Sequence, residues 1–133
     1  MPPVEKILLG ELPEGVIEAA SKDLAEYCVG FVRVEETPRG QDAVLLGSGT
    51  LISIGSVQAV LTAHHVVSIL PTIGRLGLIL GPTVHNYTVD THGVTYLKIA
   101  RGTVDANGPD LGAVVFATAI AGAIAAKKTF YTI

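Results

Sequence analysis

Between Val29 and Phe116 the chain breaks into short runs of apolar and β-branched residues, each closed by a turn signal. Val29 to Glu35 is the first run, and Thr37-Pro38-Arg39-Gly40 ends it. Ala43 to Ile54 is a longer run, interrupted by Gly47-Ser48-Gly49. Ile54-Gly55-Ser56-Val57 reads as a tight hairpin turn, with Val57 to Ala63 as its return strand. Leu76 to Leu80 is stopped by Gly81-Pro82, and Tyr87 to Asp90 is parted from Val94 to Ala100 by Thr91-His92-Gly93. Asp105-Ala106-Asn107-Gly108-Pro109 is a loop before the last run, Leu111 to Phe116. Short strands at such regular turn spacing constrain the chain to a small antiparallel barrel or sandwich. The 15 glycines fit a fold rich in tight turns and bulges.

Helical spacing appears only at the flanks and once between strands. Leu12-Pro13-Glu14 opens a helix over Glu14 to Tyr27, with proline in the first turn and the acidic Glu14 and Glu18 where the helix dipole favours them. Its apolar positions, Ile17, Ala20, Leu24, Tyr27 and Cys28, mark a packing face, which predicts a buried and inert Cys28. Ala117 to Lys127 reads as a second helix ending in lysines, and His64 to Leu70 holds one short helical turn before Pro71.

A chain of 133 residues fits one domain and buries roughly two-thirds of its unfolded surface. The apolar fraction of 49% and the charged fraction of 16% argue against disorder. A net charge of −3 with no basic block argues against a nucleic-acid partner. The single cysteine allows no internal disulfide and points to a reducing compartment. Met1 to Gly15 lacks the basic start and apolar run of a secretory signal. Leu111 to Ala126 is an uncharged stretch of 16 residues, short of the roughly 20 a spanning helix needs. These features predict a cytoplasmic protein with no membrane partner.

Two stretches carry chemistry. The first is Gly47-Ser48-Gly49-Thr50-Leu51-Ile52, a turn, then Val60-Leu61-Thr62-Ala63-His64-His65-Val66-Val67; the second is Pro109-Asp110-Leu111-Gly112-Ala113-Val114-Val115. Together they resemble the trypsin-like serine peptidases, in which a Gly-Ser/Thr-Gly strand precedes a Leu-Thr-Ala-Ala-His segment and an Asp-Ile/Leu-Ala segment follows. The resemblance covers about Tyr27 to Phe116. In that register His65 corresponds to the general base and Asp110 to the carboxylate that orients it, 45 positions apart. The chain departs from the pattern at His64 and at Gly112, where the family usually has alanine. An imidazole supplies a base of near-neutral pKa, and a carboxylate on its other nitrogen fixes the tautomer and stabilises the imidazolium.

The resemblance implies an all-β fold, a six-stranded antiparallel Greek-key barrel with a helix at each flank. Residues 1–28 would be a helical extension, 29–116 the barrel, and 117–133 a C-terminal helix leading towards a second barrel. The family's Gly-Asp-Ser-Gly-Gly-like nucleophile turn is absent from these residues. Ser48 matches the family's structural strand, and Ser53, Ser56 and Ser68 have no supporting pattern. The resemblance therefore implies the N-terminal half of a serine peptidase, inactive by itself, whose partners are a C-terminal barrel and a peptide or protein substrate. No cofactor is implied. The apolar composition of Thr129 to Ile133 suggests that the polypeptide, or a partner, continues from there.

Other histidines have plainer readings. His64 reads as a core or surface residue, and His85 and His92 as solvent-facing turn residues. A zinc site from His64, His65, His85 and His92 lacks any ligand spacing. The competing reading of the whole chain is a non-catalytic binding or assembly module, in which Asp110 need not approach His65. Under either reading an exposed apolar face predicts a homodimer or higher oligomer.

Overall fold

The hairpin signal at Gly55 anchors the architecture. Gly55 has φ 57°, in the left-handed region that glycine enters without strain, and it turns β2 (Gly40–Ile54) into β3 (Val57–Thr62). The computed structural model describes residues 13, 15–73, 75–80, 86–89, 93–100 and 109–133. Before the hairpin lie α1 (Val16–Ala25) and β1 (Cys28–Thr37). After it come α2 (His64–Ile69), a 3-10 turn over Leu70–Thr72, β4 (Leu76–Ile79), β5 (Asn86–Thr88), β6 (Val94–Ala100), β7 (Leu111–Phe116), α3 (Thr118–Ala125) and β8 (Tyr131–Thr132).

The fold is predominantly β. The strands form one sheet in the order β5-β4-β1-β2-β3-β7-β6, antiparallel throughout. β8 joins it off that path, parallel to β2, with Ile52 opposite Tyr131 and Ser53 opposite Thr132. Eight strands take part where six are expected, and among the described residues no ladder joins β5 to β6, so the sheet is not a closed barrel.

Register explains the core. Leu51, Val60, Val114 and Tyr96 lie opposite one another across β2, β3, β7 and β6. Phe31, Leu78 and Tyr87 form a second row across β1, β4 and β5. Both rows meet one apolar cluster with Val66, Val67 and Leu70 of the α2 segment and Ile120, Ala121 and Ile124 of α3. Both ends of the strand order therefore face the same core. A bulge between Phe31 and Val32 lets two successive residues of β1 be buried, one on each side of the irregularity.

Several expectations change in detail. The interruption at Gly47-Ser48-Gly49 does not break β2, which runs on through it. α1 is three residues shorter than expected within the described residues and buries none of its side chains; Glu14 lies outside them. Cys28 is exposed rather than buried: it lies beyond α1, at the start of β1, and α1 itself keeps its apolar face, including Ile17 and Leu24, open to solvent. The turn residues at 81–82 and 105–108, with His85 and His92, lie outside the described residues. Among the described residues no helix is long and apolar enough to cross a membrane; Leu111 to Ala126 divides into β7 and α3.

The C-terminal segment ties the start of the chain to the sheet. Lys128 Nζ donates to the Ala25 carbonyl at 2.6 Å, and the Thr129 N–H donates to the Glu26 carbonyl at 2.9 Å. Tyr131 meets Tyr27 edge to face, with ring centroids 5.6 Å apart.

Candidate active site at the start of α2

β3 ends at the buried Thr62, whose Oγ1 donates to the Ser48 carbonyl at 2.7 Å. The backbone stays extended at Ala63 and then turns into α2. Ala63 has no side-chain acceptor, so the first N–H groups of α2 need a partner from elsewhere. β7 lies next to β3, with Gly112 opposite Thr62, so the residue just before β7 comes level with the helix start. That residue is Asp110.

Asp110 supplies the missing acceptor. Its Oδ1 accepts the backbone N–H of His65 at 3.1 Å, and its Oδ2 takes a hydrogen bond from His65 Nδ1. A carboxylate only accepts, so the ring proton sits on Nδ1 and the lone pair is on Nε2. The His65 side chain is 71% exposed. The hydrogen bond from the His65 ring holds the Asp110 carboxyl below the usual carboxylate range, helped by the backbone N–H and charge of His65 and by the backbone N–H of His64; its partial burial works the other way.

His64 is turned elsewhere. Its Nδ1 lies 3.3 Å from Ser68 Oγ, and that hydroxyl donates to the His64 carbonyl at 3.0 Å. The half-buried His64 ring thus faces back along α2, and the Asp110 carboxylate meets His65, not His64, through an imidazole. Ser48 contributes its carbonyl to Thr62, and its side chain is exposed on β2.

Two glycines let α2 lie close to the sheet. A Cβ on Gly47 would stand 2.7 Å from Val66 Cγ2, and one on Gly112 would stand 2.5 Å from Val67 Cγ2. Carbon atoms prefer about 3.5–4.0 Å. The Gly47-Ser48-Gly49 stretch and the Gly112 departure therefore have a packing reason. Sequence reasoning missed this, and it missed Asp110 as the remote cap of α2. The available signal was a short helical turn with alanine where Ser, Thr, Asp or Asn usually stands.

Among the described residues no group of three or more His, Cys, Asp or Glu side chains is placed to hold a metal ion. The arrangement instead offers one oriented imidazole whose Nε2 has no hydrogen-bond partner among the described residues, beside the exposed Ile69 on the same helix face. Such a group can take a proton from a hydroxyl brought to Nε2, with Asp110 steadying the charge that develops. A scan of protein-family models, a search of curated proteins and a search of solved structures found no match for the chain.

Proposed function

We propose that this chain is the N-terminal barrel of a trypsin-like serine peptidase, with His65 as general base and Asp110 as its orienting carboxylate. The observation that carries the reading is the two-point hold of Asp110 on His65, which fixes the tautomer with Nε2 free. The strand order supports the finer fold reading. β1, β2 and β3 are successive neighbours and β4 returns beside β1, the spatial order of a Greek key. With β7 and β6 beyond β3, six strands follow a barrel path opened at one seam.

In this reading a second barrel supplies the serine, the oxyanion donors and the specificity pocket. His65 Nε2 takes the serine proton as the hydroxyl attacks the scissile carbonyl of a peptide or protein substrate. It later returns that proton to the leaving amine. Without the serine and the oxyanion donors, these residues alone are inactive. The compartment proposed is the cytoplasm.

The isolated chain also associates with itself in this reading. Ile54 lies opposite Val57 and two positions from Ile52, and Ile52 lies opposite Tyr131. Ile54, Val57, Tyr131 and Ile133 therefore share one sheet face, and all four are exposed. A second copy covers this face.

Peptide hydrolysis by the natural gene product tests the proposal. Its activity is expected to fall by roughly 10⁴-fold or more in His65→Ala. Absence of hydrolysis, or hydrolysis indifferent to His65, overturns the peptidase reading in favour of a non-catalytic binding or assembly module.

A further inference from the structure

Gly112 lies two positions after Asp110, and Val67 two positions after His65. The Gly112–Val67 contact joins β7 to α2, and Asp110 and His65 lie at the ends of these two elements that meet. A Cβ at Gly112 would meet Val67 Cγ2 at 2.5 Å and Val67 Cβ at 3.1 Å, and also the Leu97 carbonyl at 3.0 Å. Gly112 cannot retreat, because its backbone is paired on both sides, with Thr62 of β3 and Lys98 of β6. α2 is the element free to give. It is six residues long, and its first N–H groups depend on Asp110 rather than on a cap of its own.

We propose that Gly112 is a positioning residue: its bare Cα sets how deeply Val67 seats α2 on the sheet, and so whether the His65 ring reaches Asp110. A single methyl group at Gly112 displaces α2 by an amount on the order of 1 Å, from the difference between 2.5 Å and a normal carbon contact. That displacement separates a hydrogen bond whose geometry tolerates only a few tenths of an ångström. The pairing stands apart from any catalytic role; its value for proton transfer rests on the peptidase reading above.

The Asp110 carboxyl reports the contact without any activity assay. Among the described residues the groups facing it are the His65 ring and the backbone N–H groups of His65 and His64. The experiment is carbon-detected NMR titration of Asp110 in the full chain, with His65→Ala marking the value for a carboxyl that has lost its imidazole. Gly112→Ala is expected to raise the Asp110 midpoint towards the His65→Ala value. Gly112→Ala combined with Val67→Ala removes the clashing Cγ2 methyl and is expected to recover most of the wild-type value, the Leu97 carbonyl and the retained Cβ of residue 67 accounting for the remainder. Gly122→Ala, at a glycine with nothing within 4 Å, leaves the midpoint unchanged. A wild-type midpoint in Gly112→Ala overturns the proposal, as does a double variant no closer to wild type than the single one. Should Gly112→Ala fail to fold, the double variant decides alone: a midpoint near wild type supports the proposal, and one at the His65→Ala value overturns it. Each of these results stands whether or not the gene product cleaves peptides.

Discussion

Asp110 holds His65 by its main chain and its ring at once: Oδ1 accepts the backbone N–H at 3.1 Å, and Oδ2 accepts from Nδ1. One carboxylate thereby caps the start of α2 and chooses the tautomer of the imidazole. Structural and chemical roles are merged in a single side chain, so its replacement disturbs both.

Acid should uncouple the pair in a defined window. The folded Asp110 carboxyl lies below its usual range because the His65 ring and backbone donate to it. The unfolded chain therefore takes up the proton at higher pH than the folded one. The stability due to Asp110 is in place above the ordinary carboxyl value of about 3.9 and is lost as pH falls through the lowered folded value. Urea midpoints should show a constant gap between wild type and Asp110→Asn from neutral pH down to about pH 5, shrinking below that. Glu36, lowered by Gln41 and then Arg75, titrates in the same direction. The comparison therefore needs Glu36→Gln as a parallel background.

The seating of α2 on β2 can be locked covalently. An ideal Cβ at Gly47 lies 3.6 Å from Val66 Cβ, inside the range a disulfide needs. Gly47→Cys with Val66→Cys, in a Cys28→Ser background, should oxidise to a single bridge. Closing a loop of this length should stabilise the chain by about 3 kcal/mol. The check is a urea midpoint that rises on oxidation and falls back with reductant.

The shared apolar face should govern self-association. Ile54 and Val57 are 52% and 48% exposed, so charges there are compatible with the fold. Ile54→Glu with Val57→Glu should convert the associated chain to a monomer in light scattering. Wild-type chain that is already monomeric at high concentration contradicts the homodimer.

Much of this molecule was readable residue by residue. The hairpin at Gly55 was legible because a positive φ at a turn demands glycine. The helical turn at His64 and the strand Leu111–Phe116 were legible from periodicity and flanking turn signals. What periodicity could not show was contact at a distance. Gly47 to Gly49 looked like a break in β2, yet its backbone stays in the strand and the missing side chain at Gly47 makes room for Val66. β8 pairs parallel to β2 only because α3 carries the chain back across the sheet, and a two-residue strand has no local signature of register. Cys28 was misplaced because the helical pattern was read past its end: α1 stops at Ala25 and Cys28 opens β1.

The most direct measurement is mass spectrometry of the natural gene product after treatment with a fluorophosphonate, which modifies a serine only when a neighbouring base activates it. The account predicts one modified serine, outside this 133-residue sequence, in the wild-type protein and none in His65→Ala. A serine modified equally in both, or no modified serine in the wild type, would contradict it.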